Sequence, residues 1–156
     1  MDEECVLYWP SGQIRGLQDN FKGRRFKGIE YGKAKRFHNP VLREDYPKEV
    51  DARFFATSCM RAQARYQENV SEDCLHLNIY TPIFPPDTTT SVPVAVWFHG
   101  GSFTMGAGSN TNVEDVKELV LTGRIIVVTV NYRLGVFGFL GSERLRNSSG
   151  ASVGNF

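Results

Sequence analysis

The sequence contains no apolar run approaching the roughly 20 residues that a membrane-spanning helix requires, so no transmembrane helix is expected. Its first ten residues, MDEECVLYWP, carry acids and lack the apolar core of a secretory leader. Either the mature chain starts here, a leader precedes it, or the protein stays inside the cell. There is no excess of either charge: 18 Lys and Arg stand against 17 Asp and Glu. A global field that would attract nucleic acid or an anionic membrane is therefore absent. The densest basic runs, residues 22–27 and 33–36, are short and interrupted, and read as solvated surface. With only three cysteines, at most one pair can form. Cys59 and Cys74 lie close in sequence and Cys5 stands apart. Internal repeats are missing, and residues 85–90 form the sole low-complexity tract. Two glycosylation sequons, at Asn69 and Asn147, favour secretion only slightly, because such triplets arise often by chance.

What is present fits one domain: 156 residues suffice to bury a reasonable core. VLYWPSGQIRGLQDN reads as two short strands around Pro10-Ser11-Gly12, a hairpin signal. FKGIEYGKAKRFHNPV reads as irregular extended chain. From Leu75 the pattern sharpens, with Leu75, Leu77 and Ile79 alternating against His76, Asn78 and Tyr80. VPVAVWFH and RIIVVTVNY are near-continuous apolar runs, as expected of strands covered on both faces. Between them Val113, Val116, Leu119 and Val120 recur at helical spacing, with Asn112 to cap the start and Gly123 to close the end. Strand, glycine loop, helix and strand make a βαβ unit. The fold class is therefore α/β, with short antiparallel leading strands running into a mostly parallel central sheet that carries helices on its faces.

The loop after the first apolar run is HGGSFTMGAGSN, residues 99–110. Glycines here let the chain turn sharply between strand and helix. They also allow a reacting oxygen to approach the main chain closely. This is the place where α/β-hydrolases build the first half of an oxyanion hole from backbone N–H groups. Each such donor, fixed before reaction, stabilises the developing charge by roughly 3–4 kcal/mol.

Here the chain resembles the type-B carboxylesterases and cholinesterases, a family that also holds the non-catalytic neuroligins. GQIRG with FKGIEYGKAKRF resembles the family's opening, and SEDCLHLNIYTP is similar to its S-E-D-C-L-Y-L-N-I-Y-x-P signature. VWFHGGSF resembles its oxyanion-loop motif and VTVNYRLGVFGFL its N-Y-R-L-G-x-x-G-F-L strand and turn. The resemblance implies that residues 1–156 are the N-terminal portion of a carboxylesterase type-B α/β-hydrolase domain whose remainder is absent. It implies oxyanion donors at Gly101 and Ser102 with Gly100 shaping the turn, a Cys59–Cys74 disulfide, and an ion pair between Arg36 and Glu72. A loop of about 15 residues closed in that way contributes on the order of 3 kcal/mol in the chain-entropy model. Arg133 matches a structural arginine whose acidic partner lies further along the family's sequence. The intact protein would hydrolyse small carboxylic esters through a serine, a histidine and an acid, none of them in this chain, and no metal or organic cofactor is implied. The rival reading is a cholinesterase-like adhesion protein of neuroligin type, and a third is a truncated product without activity. The disulfide and sequons point to the secretory pathway, with a cytoplasmic location as the alternative. Neither nucleic acid nor a membrane span is expected, and the sequence leaves the oligomeric state open.

Four departures from the family pattern stand out. Ser102 replaces a glycine, as in neuroligin-like sequences. His76 replaces a tyrosine, Glu30 replaces a proline, and Cys5 has no evident partner. His99 reads as a structural residue at a strand end, since a catalytic histidine needs defined geometry with a nucleophile. His38 carries no signal, and Phe103 and Met105 are weak candidates for a pocket wall. GASVG, residues 150–154, spells the nucleophile elbow G-x-S-x-G, but a polar loop precedes it where the elbow needs a buried strand. Ser152 is therefore not the expected nucleophile.

Overall fold

The computed structural model describes residues 2–18, 23–62, 69–83, 91–110 and 113–145, with the backbone alone for 113–115. The elements along the chain are β1 (Glu3–Trp9), β2 (Gly12–Gln18), β3 (Gly23–Glu30), β4 (Gly32–Lys33), β5 (Val41–Leu42), β6 (Glu49–Asp51), β7 (Ser58–Cys59), β8 (Val70–Ser71), β9 (His76–Pro82), β10 (Val94–Phe98), α1 (Val113–Leu121), β11 (Ile126–Val130) and α2 (Gly135–Phe139). A seven-stranded sheet runs β1-β2-β3-β9-β11-β10, with β6 paired to β2. The path from β1 to β11 is antiparallel, and β10 joins β11 in parallel. Strands β4 with β5, and β7 with β8, form two small separate sheets.

The hairpin turns where Pro10 and Ser11 predict it, with Trp9 opposite Gly12. Of the segment expected to be irregular, residues 26–41, positions 34–40 carry no strand, but the first five residues belong to β3, one of the longest strands. Its regularity is hidden in the sequence by a bulge: Phe26 pairs with Ile79 and Ile29 with Leu77, so β3 holds one residue more than β9 over that stretch. Gly28 takes the left-handed conformation there (φ 67°), which only glycine adopts freely. The bulge frees the Gly28 N–H from the ladder, and Asn78 Oδ1 accepts it at 2.9 Å. Asn78 Nδ2 in turn donates to Thr129 Oγ1 at 2.9 Å.

That pairing explains a second difference from expectation. The alternation in β9 marks its odd positions as the inward face, yet Asn78 and Tyr80 are buried as well. Strand β9 is central and covered on both sides. Leu77 and Ile79 pack against Phe26, Ile29 and Ala52 on one side. Tyr80 packs with Val127 against Val116 and Val120 of α1 on the other. The helix ends as its sequence requires: Gly123 is left-handed (φ 72°) and its N–H reaches Val120 O at 2.9 Å. Leu119 is exposed, so the stripe on α1 is narrower than its spacing implies. The cap assigned to Asn112 lies outside the described residues.

A third expectation is corrected at β10. The apolar run that reads as a strand covered on both faces is an edge strand, and Val94, Val96 and Phe98 are 55%, 52% and 63% exposed. Strand β11 pairs with β9 on one side and β10 on the other, so only β11 of the two runs is buried. The disulfide joins Cys59 to Cys74, as expected, and both cysteines are buried against Leu75 and Leu134.

Asn78→Ala leaves the Gly28 N–H and the Thr129 hydroxyl without their buried partner, a loss of about 2–4 kcal/mol. Urea unfolding reads it directly, and a change below about 0.5 kcal/mol would show that the bulge does not need this side chain.

Candidate functional site

The loop after β10 can be read peptide by peptide. His99 Nδ1 lies 2.8 Å from Gly100 O. The Gly101 carbonyl accepts from Thr104 N at 3.0 Å, Met105 N at 3.2 Å and Thr104 Oγ1 at 3.1 Å. Two consecutive carbonyls are thus occupied inside the loop. Peptide bonds here are trans, so each following N–H points away from its carbonyl. The N–H groups of Gly101 and Ser102 have no acceptor among the described residues. Main-chain donors left unused are the groups that can receive an incoming oxyanion.

The glycines contribute unequally. Gly101 sits at φ 119°, and a Cβ there would meet Met105 O at 2.2 Å. Gly106 (φ 105°) lies against the His99 ring, where a Cβ would approach Nδ1 to 2.3 Å. Gly100, expected to shape the turn, has open space around the Cβ position and no left-handed backbone. Ser102 and Phe103 follow at φ 51° and 59°. Left-handed backbone costs a non-glycine residue about 1–2 kcal/mol, so the serine at 102 holds its N–H in place against strain that glycine would not feel.

The loop is braced from the stretch after β11. Asn131 Oδ1 accepts from Gly108 N at 2.7 Å, and the Tyr132 hydroxyl donates to His99 O at 2.6 Å. Gly135 N donates to Phe103 O at 2.7 Å, and the Phe103 and Phe139 rings meet at 5.0 Å. The Tyr132 and His99 rings stack at 4.3 Å and 14°. Because a carbonyl only accepts, His99 Nδ1 carries the proton and Nε2 is bare. Nε2 is buried without a hydrogen bond, and burial holds the imidazole below its ordinary value. His99 is only 5% exposed, which fits a structural residue.

Of the other assigned residues, Phe103 and Met105 belong to this loop and the rest to other segments. Arg36 Nε donates to Glu72 at 3.0 and 2.9 Å in an exposed pair, which raises Arg36 and lowers Glu72. Buried Arg133 donates to Lys35 O at 3.2 Å and His38 O at 2.6 Å, so main-chain carbonyls hold it within the described residues. Phe103 and Met105 are exposed. Cys5 is a free, half-buried thiol that burial pushes up. Asn69 is exposed, as a sequon must be, while Asn147 and Ser152 lie outside the described residues. Among the described residues no group of three or more His, Cys, Asp or Glu could hold a metal ion. No helix described is long and apolar enough to cross a membrane. Sequence reasoning missed Asn131 and Tyr132 as braces, although NYRLG had already stood out as a motif.

Residues 3–154 match the carboxylesterase family. The chain belongs to the carboxylesterase family. It is 38% identical over 122 residues to bile salt-activated lipase of Mus musculus, covering 74% of this chain and 20% of that protein. Para-nitrobenzyl esterase of Bacillus subtilis (strain 168) is 38% identical over 139 residues, 83% of this chain and 27% of the other. Among solved structures, a PNB esterase superposes with a TM-score of 0.75 at 34% identity, over 96% of this chain and 31% of the other. Aspergillus niger EstA gives a TM-score of 0.79 at 25% identity, over 97% of this chain and 30% of the other. The fold is thus that of α/β-hydrolase esterases, and the chain spans about a fifth to a quarter of the length of the curated relatives it matches.

Two outcomes follow for this carboxylesterase-family loop. Gly101→Ala should cost stability on the order of 2–3 kcal/mol, from overlap and positive φ together, whereas Gly100→Ala should stay within about 0.5 kcal/mol. Equal losses in thermal unfolding would refute that assignment. The second concerns pH. Burial holds both His76 and His99 below their ordinary value of 6.5. Below that pH the unfolded chain binds protons that the folded one refuses, so stability present above pH 6.5 is lost as pH falls. The melting temperature should drop between pH 7.5 and 5, and the His76→Gln/His99→Gln double variant should flatten that slope; an unchanged slope would exclude both imidazoles.

Proposed function

We propose that this chain supplies the first half of the oxyanion hole of a carboxylic ester hydrolase. The observation that carries the reading is the pair of unused N–H groups on Gly101 and Ser102, next to two carbonyls already bonded within the loop. In the reaction, a serine outside this chain attacks the ester carbonyl carbon, and a histidine takes the serine proton and returns it to the leaving alcohol. Negative charge gathers on the carbonyl oxygen, where donors fixed beforehand stabilise it without reorganising. Water then repeats the attack on the acyl-enzyme and releases the acid.

The nucleophile, acid and histidine would come from the part of the family's length that this chain does not span. The open edge of β10 is where a longer protein would continue the sheet. Bound ester would be a small molecule, and no step calls for a metal or organic cofactor. The Cys59–Cys74 disulfide and exposed Asn69 support a place in the secretory pathway.

The test is hydrolysis of p-nitrophenyl esters. The 156-residue chain alone should show no turnover, and a longer protein carrying it should show turnover that survives Ser152→Ala. Turnover by the isolated chain that vanishes on Ser152→Ala would overturn the assignment. A longer protein with no esterase activity would instead favour the adhesion reading.

A further inference from the structure

We propose that Tyr132 is a positioning residue for the oxyanion donors, acting through the imidazole of His99. The inference rests on the reading of Gly101 and Ser102 as those donors. Tyr132 stands two residues beyond the end of β11, the buried strand between β9 and β10. It holds His99 at two points: its hydroxyl takes the His99 carbonyl at 2.6 Å, and its ring lies flat on the imidazole at 4.3 Å. Besides that stack, the imidazole makes the 2.8 Å hydrogen bond from Nδ1–H to Gly100 O. That bond fixes the plane of the Gly100–Gly101 peptide. A trans peptide has its N–H opposite its C=O, so fixing the carbonyl fixes the direction of the Gly101 N–H.

The surroundings leave the imidazole little freedom to turn. Gly106 packs so closely on Nδ1 and Gly100 O that a Cβ would stand 2.3 and 2.6 Å away. Flipping the ring would put Cδ2–H in the place of Nδ1–H and lose the hydrogen bond to Gly100 O. Burial keeps the Tyr132 hydroxyl protonated and therefore a donor. Gly100 has no side chain to hold its peptide plane and open space at its Cβ position. Direction is imposed from His99, and His99 is held by Tyr132.

Tyr132→Phe tests this in the longer esterase, because it keeps the ring stack and removes only the hydroxyl. Rates are referred to active sites titrated with an organophosphate, and affinity is measured for a trifluoromethyl ketone, whose adduct places an oxyanion in the hole. We expect kcat per titrated site and ketone affinity to fall together by about tenfold, with KM changed less than about twofold. Tyr132→Leu, which removes the stack as well, should fall further if it folds; if it does not, the phenylalanine variant decides. An unchanged kcat per site and unchanged ketone affinity, with or without a lower melting temperature, would reduce Tyr132 to a packing residue and overturn the proposal alone. A longer wild-type protein that hydrolyses no ester would overturn the functional reading and this inference with it.

Discussion

Asn131 is the point on which the rest of the structure turns. Its backbone N–H donates to His76 O at 3.0 Å and its carbonyl accepts the Tyr31 hydroxyl at 2.7 Å. Its side chain accepts from Gly108 N at 2.7 Å and donates to Thr57 O at 3.1 Å. One residue thereby joins the start of β9, the leading segment, the chain entering the disulfide loop and the far end of the glycine loop. It is buried, and in a low-dielectric interior each of these groups would be costly if left unpaired. An aliphatic residue of similar size would satisfy none of the side-chain pair, and aspartate would lack the donor that Thr57 needs.

The same logic recurs one strand away. Asn78 bridges the Gly28 bulge and Thr129, so two buried asparagines occupy positions that an apolar core would otherwise fill. Both answer backbone N–H groups that the ladder cannot use, at Gly28 and Gly108. The glycines are where the chain leaves regular geometry, and the asparagines satisfy the donors so released. Irregular backbone and buried amide are one design, and neither is stable without the other.

Much of this was legible in the sequence, for reasons that differ by element. The hairpin at Pro10-Ser11, the helix closed by Gly123 and the strand of β11 follow from local rules: a fixed φ, a left-handed cap and an apolar run. The glycine at 101 was legible as a turn residue, and its φ of 119° and the 2.2 Å approach of a Cβ to Met105 O show why the turn needs it. Strand β3 was not legible, because one inserted residue at Gly28 reverses the side-chain alternation on which strand recognition depends. Asn78 and Tyr80 looked like a solvent face because a polar side chain can satisfy itself inside, and only the pairing partner reveals that. His99, Tyr132 and Asn131 are tied in by contacts up to 100 residues apart in sequence, and no periodicity connects them.

The serine at 102 sharpens what kind of device the loop is. Its backbone is left-handed, and Phe103 after it is left-handed too, so the turn is held against the preference of both residues. Something must over-determine that geometry, and three contacts from residues 131–135 do so. Asn131 holds Gly108, Tyr132 holds His99, and Gly135 holds Phe103. They fall at the beginning, middle and end of residues 99–108, and all come from the one turn that follows β11. A loop braced at three points by a single segment can keep two N–H groups unpaired without collapsing onto them. With both peptides held through their own carbonyls, neither N–H is free to turn toward another acceptor.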